Sequence, residues 1–438
     1  MLQRIISFAY VPVIAFAALA AGEVCAQAGD MPDSGDDAAY EAQQELAPID
    51  AAAPEQAANL IEYYNRGDGQ SLVDAPDCTD ACELAPAGDR FWASAEYLLW
   101  GSEGMYVPAL VTTSPTGTAS SDAGVLGEED TTILKGESHF NDDVRSGGRF
   151  ELGMWLDSAQ RDSLALTYFF IGQGSAGYHA DVSDYPIIAR PFFNVTGDAE
   201  DARLITYPNL VQGTVDVTAE SAFQAASFEY RREAVRSGRY KIDWLFGYTY
   251  AQLDENVTIR DSTLSLSGVT QGTAIDLYDA FDSQNAFHGA AFGIAAHEEL
   301  GELWTGDVFA KGSLGGMASR TRISGETATT LNGVTTTNAG GLLTQTSNLG
   351  THRDGYVSSA WELGLKLRRR LTANTSLALG YSWFLLSHVE RAGEQIDLGV
   401  NVTQIPPGNL VGAARPAFPG EKSSFWTQGL TFGLEARF

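Results

Sequence analysis

The chain has 438 residues, 44% hydrophobic, 11% aromatic and 19% charged, and its 56 acids against 27 Lys and Arg leave a net charge of −29. A phosphate backbone is held by clustered Lys and Arg, so this balance argues against nucleic acid as a partner. The chain is too aromatic to be mainly disordered, and 46 Gly with 17 Tyr, 21 Phe and 8 Trp favour strand over helix.

In chain order, Arg4 precedes an apolar stretch over 5–21, and Val24, Cys25 and Ala26 form a signal-peptidase site. Residues 1–26 are therefore expected to be a signal peptide cut after Ala26, with Ala28 as the second position. Pro12 interrupts the stretch, which disfavours an anchoring helix. Glu23 and Val24 stand where a lipoprotein signal wants small residues, which disfavours processing at Cys25. Cleavage leaves Cys78 and Cys82, read as a small disulfide loop of an exported protein rather than a metal or redox site. Residues 27–90 hold 15 acids and 2 bases, a net of −13, with little β patterning. They are expected to be a largely disordered acidic region in the periplasm.

At Phe91 period-two alternation begins. Tyr240, Ile242, Trp244, Phe246, Tyr248 and Tyr250 alternate with Lys241, Asp243, Gly247 and Thr249. Trp361, Leu363, Leu365 and Leu367 alternate with Glu362, Gly364, Lys366 and Arg368. In the last strand Leu430, Phe432, Leu434, Ala436 and Phe438 share one face with Trp426, Gln428 being its polar exception. Aromatics near both strand ends on the apolar face, and charges with Gly on the other, suit lipid outside and a polar lumen inside. Short connections at 157–162, 232–239, 297–302 and 370–375 alternate with long ones at 102–144, 172–220, 254–284, 317–355 and 387–423. This predicts an all-β, transmembrane, antiparallel up-and-down barrel over 91–438, with ten strands, short periplasmic turns and long external loops. Hairpins around 131–137 or 211–219 would raise the count to twelve or fourteen.

Several segments carry a family likeness. They include FWASAEYLLW from Phe91, PALVTTSP from Pro108, SGGRFELGMWLD from Ser146 and ARPFFN from Ala189. Others are DAFDSQNAFHGAAFG from Asp279, SNLG from Ser347, LGYSWFLLSHVERAGEQIDLGVN from Leu379 and the closing FWTQGLTFGLEARF. Together they resemble the planctomycete outer-membrane β-barrel family known as β-barrel porin family seven, over about 91–438. The resemblance implies a barrel in the outer membrane of the cell envelope and carries over no functional residues. Gly101 departs from it, standing where a second aromatic is expected after Trp100.

Alternation predicts that Arg149, Glu151, Lys241, Asp243, Glu362, Lys366, Arg368, Glu435 and Arg437 face the lumen, either lining a conduction path or filling a narrow barrel with paired charge. The five long connections hold 27 acids and 10 bases, so the negative field lies outside, with Glu128, Glu129 and Asp130 as its densest run. These loops would enrich cations at a vestibule or be bridged by divalent cations to surface polymers. Arg368, Arg369 and Arg370 read as interfacial anchors. Phe438, the last outward residue, is expected to be the signal read by the outer-membrane barrel assembly machinery. The six His are scattered, and neither GxSxG nor HExxH occurs, so no enzyme activity and no cofactor are expected. The functional expectation is a porin-like diffusion channel for small polar solutes or cations. The alternative is a non-conducting structural or surface-interaction barrel, with membrane lipid as the common partner.

Overall fold

The structure, a computed structural model, describes residues 89–405 and 408–438. The expected signal peptide, the acidic region up to residue 88 and the Cys78 and Cys82 pair lie outside the described residues. In chain order the strands are β1 (Phe91–Ser102), β2 (Met105–Val107), β3 (Val111–Thr113), β4 (Thr132–Lys135), β5 (Ser138–Phe140), β6 (Arg145–Trp155), β7 (Asp162–Asp181), β8 (Ile188–Asn194) and β9 (Ala199–Thr206). They continue with β10 (Val211–Ser237), β11 (Tyr240–Ser265), β12 (Ala274–Glu299), β13 (Trp304–Leu331), β14 (Val334–Ala339), β15 (Gly350–Arg370), β16 (Thr375–Val389), β17 (Gly399–Val400) and β18 (Ser423–Arg437).

Ten of these form one antiparallel ring in simple chain order: β1, β6, β7, β10, β11, β12, β13, β15, β16 and β18. Pairing of β18 with β1, from Trp92 opposite Arg437 to Ser102 opposite Thr427, leaves no open edge. At this seam the Phe91 amide donates to the Phe438 carbonyl at 2.8 Å, the Phe438 amide donates back at 2.9 Å, and the two rings stack at 6.0 Å. The ring has ten strands and not the alternative twelve or fourteen. Residues 211–219 are the beginning of β10 and pair with both its ring neighbours, while 131–137 supplies β4, which joins a separate sheet.

The long connections are also shorter than expected, because the strands run on. β10 has 27 residues and β13 has 28, whereas a tilted strand needs only about 9–11 to cross a bilayer. On the outward face of β11 the apolar positions run from Tyr240 to Tyr250, and Gln252, Asp254, Asn256, Thr258 and Arg260 follow. Lipid-facing side chains thus occupy the short-turn half of the ring, and the other half stands above the lipid belt as a polar-faced wall. Within the belt Trp361, Leu363, Leu365, Leu430, Phe432 and Leu434 are exposed, as an outer face in hydrocarbon requires.

The long connections fold inward against this wall. A five-stranded sheet of β17, β8, β3, β4 and β9 and the β2–β5 ribbon come from connections remote in sequence. Their apolar residues Met105, Val107, Leu110, Ile188, Phe192, Ile396 and Val400 share one buried cluster with the inward wall residues Val215, Val217, Val257, Ile259, Phe281 and Ile323.

Candidate functional site: the barrel lumen

Alternation sends every second side chain of the ten strands inward, and together with the folded loops these occupy the lumen in three layers. Nearest the short turns lies a layer of charge around a cavity of about 330 Å³. All nine residues expected to face the lumen line this cavity, as do Glu229, Arg231, Asp307 and Lys311. Arg149 on β6 reaches Glu362 on β15 at 2.9 Å, and Lys311 on β13 bridges Glu229 on β10 at 2.6 Å and Glu362 at 2.7 Å. Arg231 holds Glu151 at 3.1 Å and Glu229 at 3.2 Å, and the Trp92 indole donates to Glu151 at 2.9 Å. Lys366 pairs with Glu96, and Arg368 holds Asp307 and Glu435 at 2.7 Å each. Lys241 pairs with Asp243 at 3.0 Å, while Arg437, at the open rim, reaches Glu435 at 3.3 Å. Several of these pairs span three or four strands of the ring, so the charges cross-link the wall from within. Two inward glycines make room for large rings: a Cβ on Gly153 would lie 2.0 Å from the Trp92 ring, and one on Gly364 would lie 2.3 Å from Phe309.

Above the charges sits an aromatic layer. Leu98, Trp100, Phe169, Ile171, Phe223, Leu253, Phe287, Met317, Phe384, Leu386 and Phe425 form one buried cluster. Phe223 on β10 and Phe384 on β16 stand five places apart in the ten-membered ring, on opposite walls, and their ring centroids are 5.3 Å apart. Phe223 also meets Phe425 at 4.9 Å, and Phe169 meets Phe384 at 5.6 Å. Side chains from opposite walls thus meet, and the aromatic layer crosses the lumen. The Arg149 guanidinium lies 4.9 Å from the Phe169 ring and joins the two layers.

The third layer is the folded loops, clamped to the wall by buried ion pairs. Arg190 of β8 holds Asp261 of β11 at 2.8 Å and Asp279 of β12 at 2.6 Å, with the side chains no more than 1% exposed. The other Asp279 oxygen accepts from the amides of Leu343 and Thr344 and from the Thr344 hydroxyl, at 2.7–3.0 Å. Burial opposes the Arg190 charge, but Asp279 and Asp261 outweigh it and hold the guanidinium above its ordinary pKa. Arg391, in the last connection, binds Glu255 of β11 through three hydrogen bonds of 2.7–3.0 Å. Beside it the Glu390 carboxylate accepts from Thr321, and its backbone exchanges hydrogen bonds with Asn285.

The sequence reading did not single out Arg190, Asp261, Asp279, Arg391, Glu255 or the aromatic layer. A signal was available in ARPFFN and HVERAGEQ, where a charge stands among apolar residues inside a connection expected to be solvated. Glu128, Glu129 and Asp130 are exposed in a turn between β3 and β4. Arg368, Arg369 and Arg370 divide: Arg368 points into the lumen, while Arg369 faces outward over Trp304, 5.6 Å from its ring. Phe438 is outward and 59% exposed. Among the described residues no group of three or more His, Cys, Asp or Glu is placed to hold a metal ion. His179 and His297 each lie 2.7 Å from a carboxylate, Asp216 and Asp307, and among the described residues neither has a Ser or Cys hydrogen-bonded to it.

No curated protein is matched by the sequence. The fold is similar to the outer membrane protease OmpT from Escherichia coli, with a TM-score of 0.37 and 9% identity over 80% of this chain and 97% of that one. It is also similar to the translocator domain of autotransporter NalP from Neisseria meningitidis, with a TM-score of 0.20 and 11% identity over 87% and 97% of the two chains. For the P. putida toluene transporter TodX the TM-score is 0.23 and the identity 9%, over 81% and 91%. The family model described as "Putative beta barrel porin-7" matches residues 92–438. With a closed ring, a lipid-facing belt and this match over most of its length, the chain belongs to that family of outer-membrane β-barrels.

Proposed function

We propose that the protein is a non-conducting outer-membrane barrel that anchors and displays the compact loop assembly at its long-loop end. The observation that carries this reading is the Phe223–Phe384 contact across the lumen, 5.3 Å between ring centroids. Charged pairs below and clamped loops above supplement it. Ten strands enclose little more than the eight that side chains alone can fill, whereas open channels use about sixteen. In this reading the short-turn end and the N-terminal region face the periplasm, and the outward belt takes membrane lipid as its partner. The barrel assembly machinery reads Phe438 at the seam, and the chain performs no catalysis.

The 330 Å³ charged cavity favours a second reading, a channel for small polar solutes or cations whose aromatic layer opens. Liposome swelling separates the two. Proteoliposomes holding the full chain are expected to take up arabinose and KCl at the rate of protein-free liposomes. Swelling that scales with the amount of folded protein would establish the channel instead.

A further inference from the structure

The acidic exterior has one basic exception. The connection 317–355 carries Arg320, Arg322 and Arg353 against Glu326 and Asp354, although the long connections together hold 27 acids and 10 bases. Arg320 on β13 and Arg353 on β15 are direct cross-strand partners. Ser319 and Thr321 are buried on either side of Arg320, so its guanidinium points outward, and Arg320, Arg322 and Arg353 are all exposed. Like charges placed opposite one another on a sheet repel and destabilise the pairing. Among the described residues no carboxylate pairs with these three, whereas the nearby Lys422 is paired with Asp354 at 2.6 Å. Asp282, opposite Arg322 on β12, accepts instead from the Asn256 amide at 2.5 Å.

A second, independent feature lies beside them on the same face. A shallow groove of about 640 Å³ is lined by Leu314, Gly316, Gly355 and Val357, toward the lipid belt from the arginines. Leu314 and Val357 are 66% and 73% exposed. A Cβ on Gly316 would meet nothing within 4 Å, so the floor of the groove is open because side chains are missing there. The groove ends at Gly355, which faces Ala318, and only the Ser319–Asp354 pair separates it from Arg320 and Arg353. That separation is two residues, roughly 7 Å along the strand.

An apolar trough running up from the belt and ending at unpaired guanidinium groups matches an anionic amphiphile. We propose that an outer-leaflet lipid with a phosphate-bearing headgroup binds here. Its phosphate lies on Arg320, Arg353 and Arg322, and one acyl chain lies in the groove floored by Gly316 and Gly355. Guanidinium groups suit phosphate oxygens because their N–H donors match the oxygen geometry and keep their charge at any working pH. The site uses only the lipid-facing wall and is independent of whether the lumen conducts.

Native mass spectrometry of the full chain, released from mixed micelles of phosphatidylglycerol and phosphatidylcholine, tests this. The wild type is expected to retain phosphatidylglycerol over phosphatidylcholine by roughly tenfold. The Arg320→Gln/Arg353→Gln double variant is expected to lose that preference, and Arg320→Lys/Arg353→Lys to keep part of it. Gly316→Leu fills the groove from outside and is expected to weaken retention of the diacyl lipid. Heat-modifiable mobility on gels confirms that each variant is folded, which these exposed positions allow. Two results would overturn the proposal. One is equal retention by the wild type and the folded Gln variant. The other is displacement by glycerol phosphate, which has no acyl chain, as readily as by lipid, with Gly316→Leu unchanged; that result would mark a site for a free anion.

Discussion

His179 and Asp216 stand on the outward face of the wall above the lipid belt, in β7 and β10, with 2.7 Å between imidazole and carboxylate. The hydrogen bond that the imidazole donates to Asp216 and then the Asp216 charge, with Asp181 and Asp184 acting in the same direction, raise the imidazole pKa above 6.5. A raised imidazole pKa adds stability that is fully present below the unfolded value near 6.5 and is lost as the pH rises through the folded value. Both side chains are about half exposed, at 55% and 51%, so solvent keeps the contribution small. An NMR titration of the micellar protein is expected to place His179 above 6.5 and to lower it in Asp216→Asn. A midpoint at or below 6.5 in the wild type would contradict the pairing.

At the scale of elements, the clamp between β8 and the wall makes the sharper prediction. Arg190→Ala would leave Asp261 and Asp279 buried without their shared cation, and breaking a buried ion pair costs about 3–5 kcal/mol. Arg203 still reaches Asp261 at 3.0 Å, so Asp279 suffers most. The expected outcome is a ring that survives with a loosened loop assembly. Limited proteolysis should then cut within 182–210, where the wild type is expected to resist, while heat-modifiable mobility persists. Equal resistance in the two proteins would show that the clamp does not hold the loops.

The elements differed in how far their sequences revealed them. The lipid-facing strands were legible because alternation is the direct imprint of two solvents on a pleated chain. Tyr240–Tyr250 and Trp361–Leu367 carry it cleanly, and the nine charged lumen positions followed from the same parity. The strand extensions were not legible. Above the belt water replaces lipid, so Thr258, Arg260 and Ser262 look like loop although they stand opposite Thr218, Asp216 and Thr214 in the ladder. The aromatic layer was hidden for a related reason. Phe223, Phe384 and Phe425 lie on the inward face, where a water-filled pore would place polar residues, and the contact among them is set by ring closure rather than by neighbours in sequence.

For the whole molecule, the charge is resolved by location. The acids outnumber the bases in the long connections, the lumen pairs its ions across the ring, and Arg320, Arg322 and Arg353, with no carboxylate partner among the described residues, sit together at one point on the lateral wall. Closure of the ring converts ten amphipathic strands into a cylinder whose outside is solvated by lipid and whose inside is solvated by its own side chains. In the proposed function such a barrel anchors a folded outer assembly without opening the membrane, and the aromatic layer is its decisive part.

Planar-bilayer recording at single-molecule resolution tests this most directly, with the wild type and a Phe223→Ala/Phe384→Ala variant measured side by side in KCl. The wild type is expected to give no conductance steps, and the variant, with rings removed from both walls, to give small steps. Regular steps from the folded wild type, at a size unchanged in the variant, would contradict the closed lumen.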